Sequence, residues 1–294
     1  MLSQSYPRTK HIYYFIKKSD KRKKQYDRIC INKFIMNQTI RTLKNHKSIR
    51  KFKSIEPSDE VLRDIIECGI RSSSSGNMQG WSLIITKDKK QKEKLYKIHR
   101  KQKMILEAPV TLTFLSDFHR TLTWLDEKST KKSFDDFLGF LTGATDAIIA
   151  AQAMVVAAES FGLGACYMGT TWWGADKLSK LFKLPDNVFP VTSLVLGQPN
   201  ESIKKLRDRL PFESMVFEEE YKSFTKDEIL KLYKEKEERS WERYNSFPEI
   251  KQKILQYNIK NVAQYYTSEI KYGKKLHEDV SKMIKQLLSK KNYF

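Results

Sequence analysis

Apolar positions along the chain fall into helical and strand periods that alternate. Val61, Leu62, Ile65 and Ile66 recur at three- and four-residue spacing behind Ser58, a good N-cap, and predict one amphipathic helix ending near Arg71. A small polar loop, Ser72 to Gly80, leads to a β-like run from Trp81 to Thr86; a charged helix Lys89 to Arg100 and a strand Val110 to Leu115 follow. Gly139 to Phe161 reads as one long helix, apolar almost all round and rich in Ala and Gly, which implies burial on every side, in a core or a subunit interface. Beyond it the pattern gives a short strand Ala165 to Met168, a helix Ala175 to Phe182, and a strand Val188 to Leu196 closed by Gly197 and Pro199. Lys226 to Lys291 is charged and helical in period, broken near Pro248, with Ile250, Ile254, Tyr257, Met283, Ile284, Leu287 and Leu288 as candidate buried positions. Strands separated by helices, with one central buried helix and an all-helical tail, predict an α+β fold.

Three segments differ in composition. Residues 1–35 carry ten Lys or Arg against Asp20 and Asp27, and read as a basic extension that is either an appendage or folded onto the body. Asn37 to Asn45 reads as a short helix, so Met36 is a candidate start of a domain running over 36–221, with 222–294 a charged helical extension. With 40% hydrophobic residues, 16 Phe, 14 Tyr and 5 Trp, the chain has the composition of a folded protein.

The formal charge of +20 raises the possibility of a nucleic-acid partner, but the lysines are scattered over nearly every predicted helix, as on ordinary solvated faces. Cys30, Cys68 and Cys166 show neither paired spacing nor a histidine cluster, so no disulfide framework and no metal site is expected, and Cys68 and Cys166 should be core thiols. The longest apolar run, Ala147 to Ala158, is interrupted by Gln152 and flanked by Asp146 and Glu159, too short and polar to span a bilayer. A soluble cytoplasmic protein is expected.

Gly162 and Gly164 follow a helix instead of a strand, the wrong context for a dinucleotide fingerprint, so any phosphate must be held by side chains and helix ends. The segment His46-Lys47-Ser48-Ile49-Arg50-Lys51-Phe52 supplies candidates. In an extended conformation His46, Ser48 and Arg50 share one face while Ile49 packs below, offering an imidazole, a hydroxyl and a guanidinium to one anion. Basic residues after a helix also serve as a solvated C-terminal turn, so this strip is not diagnostic alone. The segment Ser72-Ser73-Ser74-Ser75-Gly76-Asn77-Met78-Gln79-Gly80 places hydroxyls and two amides beside an apolar strand, a donor and acceptor set suited to a flat heterocycle.

His46-x-Ser48-x-Arg50-x-Phe52, about 25 residues ahead of the serine-rich Asn77-x-Gln79-x-Trp81 segment, resembles the opening signature of the nitroreductase superfamily. The serine run is similar to the oxygen-insensitive NADPH nitroreductase and flavin reductase branch. The likeness continues through Ala144 to Gly164, the block "KLFKLPDNVFPVTSLVLGQP", and Arg207-x-Arg209-Leu210-Pro211, covering roughly Met36 to Tyr221. It implies a mixed sheet flanked by helices, a long central helix at a homodimer interface, FMN as cofactor and NADPH or NADH as reductant. It also implies that His46, Ser48 and Arg209 bind the FMN phosphate with Lys47 and Arg207 beside them, and that Arg50 lies against the N1 and O2 edge of the flavin. By the same resemblance Ser73, Ser74, Ser75, Asn77 and Gln79 line the ring and ribityl chain, and Gln102 is a polar flavin contact. Backbone N–H groups around Gly169 and Thr170, after Tyr167, approach flavin N5. The flavin lies between subunits, so the site is shared.

On that reading the cofactor performs the hydride chemistry and no protein nucleophile is needed. His99, His119 and His277 are then expected at the surface. Trp172 and Trp173 either wall the pocket or pack in the core. The expected reaction is ping-pong transfer to a nitroaromatic, quinone or flavin, with no membrane partner. The alternatives are a basic nucleic-acid-binding protein, and the same flavin fold with different chemistry such as dehydrogenation or dehalogenation.

Overall fold

The structure is a computed structural model that describes residues 37–203 and 205–294. The expected basic extension over 1–35 lies outside the described residues. Helix α1 (Gln38–Lys44), where a short helix was expected, belongs to a separate unit and buries none of its side chains.

Asn45–Phe294 forms the second unit, built on four strands: β1 (Trp81–Thr86), β2 (Val110–Asp117), β3 (Gly164–Tyr167) and β4 (Val188–Gly197). Their order is β1-β2-β4-β3, and every neighbouring pair is antiparallel. Strand β2 is buried along its whole length and runs two residues past the expected Leu115. Its register against β4 shifts between Phe114 and Leu115, where Leu115 faces Pro190. Proline donates no ladder hydrogen bond, so an irregularity is the natural accommodation there.

Helix α2 (Asp59–Ile70) starts as its sequence predicts, with the Ser58 hydroxyl accepting from the Val61 N–H. Helices α3 (Lys89–Ile98), α4 (Met104–Glu107) and α5 (His119–Glu127) flank β2 in sequence. The long helix is α6 (Phe137–Ser160), capped by Asp136, whose side chain accepts from Gly139 N. Small residues let it lie close to the sheet: Ala144, Ala147, Ala151 and Ala158 join the main core, and a Cβ on Gly143 would stand 2.4 Å from the Gly80 carbonyl. Burial on every side does not hold within one chain. Leu138, Leu141, Ile148 and Ile149 form an exposed apolar stripe at helical spacing, with Leu138 67% accessible. Among the described residues α6 alone is long and apolar enough to cross a membrane, and half of its most apolar window is buried in the chain.

Helix α7 (Ala175–Leu181), between β3 and β4 in sequence, packs against β4. The remaining helices are α8 (Lys226–Asn245), α9 (Pro248–Gln256), α10 (Val262–Thr267) and α11 (Lys274–Lys290). Helix α8 begins with a capping box between Thr225 and Glu228. Tyr244, Ile254, Ile259, Val262 and Tyr265 make a small core of their own, while α11 inserts Leu287 and Leu288 into the main one. Two expected core positions are exposed. Tyr257 follows the last residue of α9 and leaves the apolar stripe that Ile254 continues, and Cys68 lies off the α2 face formed by Leu62, Ile65 and Gly69. Cys166 is buried on β3, and burial raises its thiol pKa.

Candidate anion and cofactor site

Residues 46–52 run extended along the edge of the sheet. Ser48 forms a parallel bridge with Ala165, Ile49 N donates to Ala165 O at 3.0 Å, and Phe52 bridges Pro199. Ile49 and Phe52 are buried, which pins the strip to the core and turns its polar residues outward. The approach to β3 is close enough that a Cβ on Gly164 would meet Ile49 Cγ1 at 2.5 Å, so glycine is required there.

The outward residues His46, Lys47, Ser48 and Arg50 line a cavity of about 850 Å³. Gln102 lines it too, and Arg207 and Arg209 complete it from the irregular segment after β4. The two basic segments marked in the sequence therefore meet on one pocket. Its wall also carries Arg243 and Phe247, at the end of α8 and just beyond it, which the sequence reading did not single out. Nothing local marks them; only the return of α8 to the sheet edge places them there. In all, eight Lys or Arg side chains line the cavity against Glu107 and Glu201, an electrostatic lining suited to a polyanionic ligand.

Several contacts fix the lining. His46 Nδ1 lies 2.8 Å from Glu159 Oε1 at the end of α6, leaving Nε2 as the remaining polar atom of the ring. The Glu201 carboxylate accepts from the backbone N–H groups of Arg50 and Lys51, and Arg50 Nη1 donates to Ser48 O at 3.3 Å. Arg209 Nη1 donates to the carbonyls of Arg207 and Asp208, both at 3.2 Å. Among the described residues no carboxylate pairs with the side chains of Arg50, Arg207, Arg209 or Arg243, so their charge is available to a ligand.

Behind Gln102 lies a buried polar cluster. Thr170 Oγ1 receives Gln102 Nε2 at 3.0 Å and stands 2.9 Å from His99 Nδ1. His99 was expected at the surface; it is fully buried, and burial pushes its imidazole down to about 4, so it is neutral at neutral pH. Its Nε2 has no partner among the described residues. The end of α3 carries His99 under the 169–171 turn, a placement hidden by the basic residues around it. Arg100 and Lys101, which lead to Gln102, both hold left-handed φ angles, 58° and 57°, at a cost of about 1–2 kcal/mol each. Gly169 is exposed, and a Cβ there would meet nothing within 4 Å. Tyr167 donates to Gln152 Oε1 at 3.3 Å, and burial raises its phenol to about 12. His119 and His277 are exposed.

The serine segment does not line this cavity within one chain. Ser73, Ser75, Asn77 and Gln79 are exposed, and the segment is shaped by Asp146 of α6, which accepts from Ser75 N at 3.0 Å and Gly80 N at 3.3 Å. Ser74 Oγ accepts from Gln79 N, and Gln79 Nε2 donates to Asn77 Oδ1. Gly76, Asn77 and Gln79 all have φ near 55°. Glycine adopts this region freely, whereas at Asn77 and Gln79 it persists where surrounding contacts hold the turn, as the Asp146 bonds to Ser75 and Gly80 on either side do here. The tryptophans pack: Trp172 sits edge-on to Phe140 and Phe189 in the main core, and Trp173 contacts Tyr272 beneath the Arg100 guanidinium.

The chain is similar to known proteins in sequence and in fold. The chain is 36% identical over 188 residues to the FMN reductase [NAD(P)H] of Bacillus subtilis (strain 168), covering 63% of this chain and 75% of that protein. Among solved structures it is similar to a Bacteroides fragilis NCTC 9343 protein, with a TM-score of 0.78, 34% identity, and coverage of 86% of this chain and 99% of the other. It is also similar to the NADPH:FMN oxidoreductase of Vibrio harveyi complexed with NAD+, with a TM-score of 0.65, 28% identity, and coverage of 80% and 91%. Because the profile of the Nitroreductase family matches residues 43–198, which include the basic strip, the serine segment and all four strands, the chain belongs to that family.

Proposed function

We propose that this chain is a cytoplasmic, homodimeric flavoenzyme that holds FMN in the pocket between residues 46–50 and 207–209. It passes hydride equivalents from NADPH or NADH to nitroaromatics, quinones or free flavins in ping-pong order. Family membership and the flavin reductase relatives make it an NAD(P)H-dependent oxidoreductase that uses FMN. The observation that carries the reading is the meeting of two basic segments, far apart in sequence, on one cavity. The residues present fit the group: guanidinium groups without a carboxylate partner among the described residues suit a phosphomonoester, and the open space beside Gly169 leaves room for a flat ring system.

Bound there, FMN supplies the hydride chemistry that amino-acid side chains lack. The chain's own residues bind and orient. Ser48, Arg207, Arg209 and His46, braced by Glu159, offer donors to the phosphate, with Lys47 beside them. Arg50 places a fixed positive charge where negative charge accumulates on reduction. Gln102, held by Thr170 and His99, presents a polar contact to the ring, and the backbone at Gly169 and Thr170, after Tyr167, offers N–H groups to it. The serine segment of one protomer, with Ser73, Ser74, Ser75, Asn77 and Gln79, faces the pocket of its partner. Cations gathered in a concave cavity favour a small anionic ligand over a nucleic-acid duplex.

The absorption spectrum of the purified protein tests this. A flavin spectrum, bleached anaerobically by NADPH or NADH and restored by a nitroaromatic or quinone, is expected. Protein that stays colourless after FMN is added and excess removed overturns the proposal.

A further inference from the structure

The arginines of the pocket sit on a segment with little support of its own. Among the described residues between Asn200 and Pro211 there is neither helix nor strand, and 205–210 make no backbone hydrogen bond to another element. Among the described residues Arg209 bonds only to carbonyls of its own segment. The one described side-chain tie from 205–210 to a helix is Asp208 Oδ1 to Arg239 Nη1 of α8, at 2.6 Å. Arg239 is in turn held by Glu235 at 3.2 Å, one turn earlier on the same face. One turn later that face carries Arg243, which lies against the Tyr244 ring and lines the cavity. A single stripe of α8, at positions 235, 239 and 243, therefore runs from the outside of the arginine segment to the inside of the pocket.

The charges explain why such a tie is useful. Asp208 lies between Arg207 and Arg209, where a free carboxylate would compete with a phosphate for their guanidinium groups. Drawn to Arg239, it is held away from them. We propose that Arg239 is a positioning residue for the anion pocket: its ion pair with Asp208 fixes residues 207–209 so that Arg207 and Arg209 face the cofactor phosphate. The helices beyond residue 222 then take part in cofactor retention. This rests on the reading that the pocket takes the FMN phosphate.

The test uses the full chain, freed of flavin, with affinity read by fluorescence titration of FMN and of riboflavin, which lacks the phosphate. Asp208→Asn separates positioning from simple charge. Removing a negative charge beside two arginines would tighten FMN binding if only the local field mattered; loss of the tie weakens it instead, by about tenfold, comparable to the ordering of one backbone residue. Arg239→Gln is expected to weaken FMN to a similar degree, and the swap Asp208→Arg with Arg239→Asp to recover most of the loss. Riboflavin affinity and melting temperature stay near wild type, since exposed ion pairs add little to global stability. Unchanged or tighter FMN binding in Asp208→Asn, or equal losses for FMN and riboflavin, overturns the proposal. Wild-type protein that binds neither flavin overturns instead the reading of the pocket on which it rests.

Discussion

His99 shows how one side chain ties the site to the stability of the fold. Its imidazole is buried, held near 4 against an ordinary 6.5, and contacts Thr170, which receives Gln102. Below pH 6.5 the unfolded chain takes up a proton that the folded chain refuses. Stability is thus lost as pH falls from about 6.5 to about 4, and the loss levels off below, for a total of about 3 kcal/mol. Urea unfolding at pH 7 and pH 4.5 checks this: His99→Gln should lose less stability over that interval than wild type by about 2 kcal/mol, and equal losses would refute the assignment. The sequence could not reveal the burial, because His99 stands in a run of Lys and Arg that reads as solvated. His46, Ser48 and Arg50 were legible for the opposite reason: their alternation around Ile49 is itself the geometric signal, and the sheet edge preserves it.

Between elements, Asp146 joins α6 to the serine segment. It is buried and accepts from the backbone of Ser75 and Gly80, so truncation leaves two N–H groups without an acceptor. Asp146→Ala should therefore cost about 2–4 kcal/mol in chemical denaturation. It should also raise amide exchange specifically across residues 72–80; unaltered exchange there would mean the segment is shaped by something else. The periods of α2, β2 and α7 were readable because each buries one continuous face or run, and their ends, like those of the half-buried β1, differ from expectation by two residues or fewer. The site's outer wall was not readable: Arg243 belongs to a charged helix, and Phe247 follows it, and the helix's pattern says nothing about which strand edge it returns to. Long-range placement of this kind is set by packing of the whole unit, which local periodicity does not encode.

For the whole molecule, α6 carries the strongest expectation. One side supplies the alanines of the main core, while Leu138, Leu141, Ile148 and Ile149 stand exposed on the other. Apolar residues in line on a helix are costly to leave in water, and the helix was read from its sequence as buried all round. A second copy of the chain covering this stripe satisfies both observations, and it would bring a serine segment to each pocket that lacks one within its own chain. Light scattering should then give twice the monomer mass. Replacing Leu141 and Ile148 by Lys places like charges across a two-fold interface and should yield monomers, because an isologous contact meets each substitution twice. If the site is shared, those monomers keep their helical content by circular dichroism yet lose FMN on gel filtration. Monomers that retain flavin as tightly as the parent would show that one chain suffices to build the site.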